Sequence, residues 1–429
     1  MANNRDLILE RKTNKKKEEY KYFVGTTLKD PLSYTVGENI IFKIRVKYMD
    51  GFLDIPYIRY SLTVEHGEDR DGYIEKSADG WFYIETSLCE AGFAYLNAEA
   101  CDESKVVIEG IEAFNGSAGA DVASIRRATE IPSDYLEFWA NMKKEVKATE
   151  PAVIYSKEIE DPRYPDYTIL DMRIKAPRNS FASLSVSYPK SAKKGSLRLA
   201  MLFQGYGVNP ATPHPLEGYL TVHVAAHAIP NDRAPEFYKG LYTGVLDDYG
   251  YDTEENERPK TTYFCGMLLR DLAALSFFED HELINKKDYY FVGSSQGGMQ
   301  ALNMAAHFDK ATAVILNVPW LSDIYGCELG GRRENGMPKG RGITYFDTAV
   351  AAEYVKCPVY MISGLGDKIC NTSTQIALFN SLKSRKYIEL YQNKTHSLTI
   401  PWDNLVYTLG DLGMKEMYRE HTEAYYDFN

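Results

Sequence analysis

Gly293-Ser294-Ser295-Gln296-Gly297 sets a serine hydroxyl between two glycines, a pattern suited to acyl transfer. Residues 288–292 (Asp-Tyr-Tyr-Phe-Val) read as an apolar, aromatic strand, and residues 298–306 read as a helix. A strand that turns sharply into a helix at Ser295 lifts the hydroxyl clear of the backbone, and small residues on either side let the chain bend without a clash. The helix N-terminus also points N–H groups at any oxyanion formed beside the serine. A bare Gly-x-Ser-x-Gly is often only a tight turn. The strand before it and the helix after it make Ser295 a candidate nucleophile.

A serine nucleophile needs a base and a group to orient that base, and in a strand–elbow–helix setting the chain order is serine, acid, histidine. Residues 358–364 form a short apolar strand running into Leu365-Gly366-Asp367, so Asp367 falls in the loop at a strand's C-terminal end. Residues 387–391 form another strand, which leads through Gln392-Asn393-Lys394-Thr395 to His396. Of the eight histidines, three follow the elbow. His307 lies within the elbow helix, His421 sits in a charged C-terminal tail, and His396 alone follows a strand. The rival acid is Asp323, beyond the strand at 313–318, since some chains of this architecture carry the acid one strand earlier.

Two backbone donors should face the oxyanion. One is the N–H of Gln296; the other should come from the loop after an earlier strand. Residues 198–203 are such a strand, and Gln204-Gly205-Tyr206-Gly207 follows, which assigns the second donor to the N–H of Tyr206. The alternative is an ordinary glycine-rich turn.

Gln204-Gly205-Tyr206, Gly293-Ser294-Ser295-Gln296-Gly297-Gly298, Tyr345-Phe346-Asp347, Gly364-Leu365-Gly366-Asp367-Lys368-Ile369-Cys370 and His396 resemble segments of the acetyl xylan esterases and cephalosporin C deacetylases, family seven of the carbohydrate esterases. The likeness begins near residues 132–139 and runs to about His396. It implies a serine esterase that removes acetyl groups from acetylated sugars or xylo-oligosaccharides, without a metal or organic cofactor, and a homo-oligomer as the expected assembly. Two departures stand out. The family's His-Gly-Tyr is Gln204-Gly205-Tyr206 here, and its Arg-Gly-Gln motif is replaced after the strand at 221–226 by His227-Ala228-Ile229. Other α/β-hydrolase chemistries, a peptidase among them, and an inactive carbohydrate-binding scaffold are the competing readings.

The elements that must carry these residues divide the chain. Residues 1–21 form a charged arm. From 22 to 125, alternating segments at 38–48, 57–64, 80–85, 92–96 and 105–108, separated by glycine and aspartate turns, predict an antiparallel β-sandwich. Its short connection to the helix near 132 predicts a fixed interface and not a tether. From 126 to 429, strands and helices alternate as in the doubly wound α/β-hydrolase fold. A net charge of −11 and a pI near 5.4 argue against nucleic acid or an anionic membrane as partner. No long apolar run or leader-like N-terminus is present, so a cytoplasmic location is expected. Six cysteines without metal-ligand spacing read as buried or free thiols, Cys370 as a packed small side chain.

Overall fold

The computed structural model describes residues 20–333 and 336–398, together with the backbone of 425–427. Residues 1–19 of the charged arm therefore lie outside the described residues, Tyr20 is exposed, and Lys21 already belongs to the first strand.

Nine strands occupy the N-terminal part: β1 (Lys21–Thr27), β2 (Ile40–Tyr48), β3 (Gly51–Phe52), β4 (Tyr57–Val64), β5 (Arg70–Glu75), β6 (Phe82–Thr86), β7 (Gly92–Cys101), β8 (Ile111–Glu112) and β9 (Phe114–Ala120). They form two sheets, ordered β3-β2-β1-β8 with β6 also on β2, and β5-β4-β7-β9. Every pairing is antiparallel except β1 with β8. Ile40, Phe42, Ile44 and Val46 alternate inward along β2, the period of a strand with one buried face. They meet Ile58 and Leu62 of β4, Leu96 and Ala98 of β7, and Phe114 of β9 in one shared core. The strand expected at 105–108 does not form. Asp102 accepts the N–H groups of Ser104 and Val106, and this Asx-type turn leaves Val107 with a single bridge to Cys101.

The larger sheet contains β10 (Val153–Glu158), β11 (Tyr167–Ala176), β12 (Ser180–Pro189), β13 (Leu197–Phe203), β14 (Tyr219–Val224), β15 (Ile284–Ser294), β16 (Ala313–Asn317), β17 (Val359–Gly364), β18 (Lys386–Tyr391) and β19 (Tyr425–Asp427). Its order is β10-β11-β12-β14-β13-β15-β16-β17-β18-β19. The pairings are antiparallel from β10 to β14 and parallel from β14 onward. This is the α/β-hydrolase fold, with antiparallel sheets before it. Strands such as β17 are buried at every residue because side chains pack on both faces. Met201, Phe291 and Leu316 enter one core, while Leu202, Val292 and Ile315 enter the opposite one. The first of these cores also takes in Leu32, Phe93, Tyr95 and Ile125, so the N-terminal sheets share apolar packing with the hydrolase part. Part of the expected tail enters the fold, since β19 pairs with β18.

Parallel order through β13, β15, β16, β17 and β18 brings five C-terminal strand ends to one edge, the place where open α/β sheets keep their chemistry. Among the described residues no helix is long and apolar enough to cross a membrane.

Candidate active site

The elbow is built by backbone proximity. A Cβ on Gly293 would overlap the carbonyl of Gly297, and one on Gly297 would overlap the carbonyl of Phe203 at the end of β13. Glycine at both positions is what allows the helix Gln296–Ala306 to start directly against two strand ends. Ser295 takes φ 54 and ψ −119, a conformation that L-residues rarely adopt. It is held there by its N–H on the carbonyl of Asn317 (2.9 Å) and by the Trp320 N–H on its own carbonyl (3.0 Å). A serine ahead of a helix usually caps it, but Ser295 makes no side-chain cap.

Its hydroxyl is engaged elsewhere. Ser295 Oγ lies 2.9 Å from His396 Nε2, and His396 Nδ1 lies 2.9 Å from Asp367 Oδ2. A carboxylate only accepts, so Nδ1 carries the proton and Nε2 is left to accept the serine O–H. Asp367 is fully buried, and its Oδ1 accepts the N–H groups of Ile369 and Cys370, each at 2.9 Å. Ser295, Asp367 and His396 are thus brought together from the ends of β15, β17 and β18. Cys370 is buried too, and burial with the neighbouring Asp367 charge pushes its thiol well above the ordinary range. Asp367, Cys370 and His396 have ligand-type atoms within 4.8 Å of one another, the one such group among the described residues. Both Asp367 oxygens are already occupied by hydrogen bonds.

Asp323 is placed differently. It is completely buried and paired with Arg332, and it accepts the N–H groups of Ala128 (2.8 Å) and Thr129 (2.7 Å). This carboxylate fastens the segment that leads into the hydrolase fold. Asp347 in turn accepts the N–H groups of Asp323 and Ile324, and burial raises its carboxyl to about 6.

Gln296 is the first residue of the elbow helix, so its N–H is one of those without an intrahelical acceptor. Gly205 lies against the nucleophile: a Cβ there would stand 3.6 Å from Ser295 Cβ. Tyr206 follows it, its ring stacked on Tyr249 at 4.2 Å and 6°. Tyr249 was not singled out from sequence, yet it links both proposed donors. Its hydroxyl donates to Gln296 Oε1 (2.8 Å) and accepts the Gly207 N–H (3.0 Å). Burial raises the phenol far above its ordinary pKa, which keeps it a donor.

His227, standing where the Arg-Gly-Gln motif is missing, anchors the same loop. Its Nε2 lies 3.0 Å from the Gly207 carbonyl and its Nδ1 2.6 Å from the Tyr263 hydroxyl. Burial lowers its pKa to about 4, so the ring is neutral; Nε2–H donates to Gly207 and Nδ1 accepts from Tyr263. Around the elbow, Tyr206 meets Trp320 at 6.1 Å and Tyr251 at 6.3 Å. Trp320 is buried, whereas Tyr251 retains 37% of its surface.

Comparison with known proteins gives this arrangement a context. The family model described as "Acetyl xylan esterase (AXE1)" matches residues 120–327 and 330–408. Among curated proteins, acetyl esterase Axe7A of Xylanibacter ruminicola is 21% identical over 302 residues, covering 66% of this chain and 68% of that protein. Among solved structures, acetyl xylan esterase 1 from Thermoanaerobacterium sp. JW/SL YS485 superposes with a TM-score of 0.51 at 19% identity, covering 69% of this chain and 96% of its own. An acetyl xylan esterase from Paenibacillus sp. R4 gives 0.50 at 20% identity, covering 65% and 94%. At these identities the structures establish a shared fold. The family match spans more than half of the chain, and on that ground the chain belongs to the acetyl xylan esterase family and is a carboxylic ester hydrolase.

Proposed function

We propose that this protein is a serine esterase that removes acetyl groups from acetylated sugars or xylo-oligosaccharides through an acyl-enzyme on Ser295. The observation that carries the reading is the unbroken chain from Ser295 Oγ through the His396 ring to Asp367, with both links at 2.9 Å.

Ser295 Oγ attacks the acetyl carbonyl carbon as its proton passes to His396 Nε2, and Asp367 stabilises the imidazolium. The carbonyl oxygen, now an oxyanion, is met by the N–H groups of Gln296 and Tyr206, donors that act where charge develops. Collapse of the tetrahedral adduct breaks the bond to the sugar oxygen, which takes the proton back from His396 and leaves as an alcohol. Water then attacks the acetyl-serine, giving its proton to His396, and acetate departs as Ser295 is reprotonated. Side chains and backbone N–H groups carry every step.

Ser295 is only 8% exposed, and its carbonyl accepts the N–H of Trp320, whose ring lies 6.1 Å from that of Tyr206; this enclosed setting supports a small acyl group. The relatives' names, acetyl esterase and acetyl xylan esterase, support the same choice. The test is product release from a panel of acetylated xylo-oligosaccharides, cephalosporin C and aminoacyl amides. Acetate from the sugars is expected; cleavage of the amides alone would support a peptidase reading, and silence on all three would support a non-catalytic binding role, either of which would overturn the proposal.

A further inference from the structure

β9 is an edge strand of the second N-terminal sheet, and an unpaired edge presents backbone donors and acceptors to whatever lies beside it. What lies beside it is the loop that carries His396. Gln392 Oε1 accepts the Ser117 N–H (3.1 Å), and Gln392 Nε2 donates to the Ser117 carbonyl (3.0 Å). One carboxamide thereby stands in for a peptide unit of a neighbouring strand. Asn393 Oδ1 accepts the Asn115 N–H (2.9 Å), two residues along the same edge.

The same two amides reach the first sheet as well. Asn393 Nδ2 donates to the Phe23 carbonyl of β1 (2.8 Å), and Gln392 Nε2 to Thr26 Oγ1 (3.1 Å). Asn393 sits at φ 55, a conformation asparagine tolerates better than most residues. The acid loop is drawn into the same contact. The Asn115 carbonyl packs so closely on Gly366 that a Cβ there would overlap it, and the Gly366 N–H donates to the Lys394 carbonyl (2.9 Å). Just past the acid loop, Ser373 Oγ donates to the buried Glu65 (2.5 Å), and the Ser373 N–H to the Tyr95 hydroxyl (3.2 Å). Both loops opposite the elbow therefore rest on β-sheets that belong to the other part of the chain.

From this geometry we propose that the N-terminal sheets are a positioning element for the reaction, with Gln392 and Asn393 as the positioning residues that hold His396 and Asp367 in register with Ser295. This rests on the serine-esterase reading above. The physical reason is that a displacement of about 1 Å between reacting groups costs on the order of 10²-fold in rate. Neither amide needs to touch substrate, so the loss should fall on kcat and not on KM.

The test uses the full-length chain. Asn393→Gly keeps the positive φ while removing the amide, Gln392→Ala removes the other, and the double variant removes both. With an aryl acetate, kcat for the double variant should drop roughly 10- to 100-fold with KM within about twofold of the parent. The rate at which an organophosphonate labels Ser295 should fall in parallel. If the double variant does not fold, the single variants should each show the same pattern in smaller measure. Parental kcat and parental labelling rate in folded variants would overturn the proposal. A parent protein that the organophosphonate does not label at all would instead overturn the serine-esterase reading itself.

Discussion

Asp367 and Asp323 are both buried carboxylates beyond strand ends, and their partners separate them. Each accepts two backbone N–H groups, but Asp367 also meets an imidazole and Asp323 a guanidinium. Asp367→Asn should lower kcat by about 10⁴ with little change in folding, because an amide does not enforce the imidazole tautomer. Asp323→Asn should chiefly reduce stability, by roughly 3–5 kcal/mol, since it leaves Arg332 buried without its counter-charge. Steady-state rates and urea unfolding of the two variants check both statements, and the reverse order of kcat loss would move the acid to Asp323. Ser295, Asp367 and His396 were legible in the sequence because each has a local signature, a strand just before it and the required chain order. Tyr249 has none, and His227, though it follows a strand, precedes the elbow and falls outside that order: both act on Gly207, 42 and 20 residues away in sequence, and only folding reveals it.

The loop after β13 shows how one element's geometry is set by its neighbours. His227 is neutral because burial brings its pKa to about 4, below the ordinary unfolded value of about 6.5. For a group depressed on folding, its contribution is fully present above the unfolded pKa and is lost as pH falls towards the folded one. Between pH 7.5 and 5 this residue alone should therefore cost roughly 2 kcal/mol of stability. Other buried groups add their own slopes, with Asp271 raised to about 7 acting in the opposite sense, so the parent's total is not the test. His227→Asn isolates the term: urea unfolding at the two pH values should show a smaller acid-induced loss than in the parent. An equal loss would mean that His227 is not held neutral. At this scale, periodicity located most strands, since alternation in β2 and unbroken apolar runs in β13 and β17 are strong signals. β9 escaped because Phe-Asn-Gly-Ser-Ala-Gly-Ala has low strand propensity. Its small residues instead permit close approach of the loop bearing Gln392, a long-range fact invisible in a local window.

Across the whole molecule, the N-terminal sheets and the hydrolase part share a core through Phe93 and Tyr95, and share polar ties through Glu65, Asn115 and Ser117. The short connection foreseen from sequence fits a built interface; its composition of side-chain amides clasping a strand edge could not be read there. A chain beginning at Thr129 removes all of these contacts and exposes the apolar residues they cover. It should be poorly soluble, or, if soluble, at least about 100-fold less active on an aryl acetate. Size-exclusion chromatography with steady-state kinetics measures both. A soluble fragment with parental kinetics would show that the N-terminal sheets are an independent appendage.

The central claim is that chemistry runs through the Ser295 hydroxyl. Incubation with an organophosphonate, followed by intact and peptide mass spectrometry, tests it most directly. One adduct per chain is predicted, on the peptide containing Gly293-Ser294-Ser295-Gln296-Gly297, absent in Ser295→Ala and accompanied by complete loss of acetate release. An adduct on another residue, or a Ser295→Ala protein that still turns over an acetyl ester at the parental rate, would contradict the account.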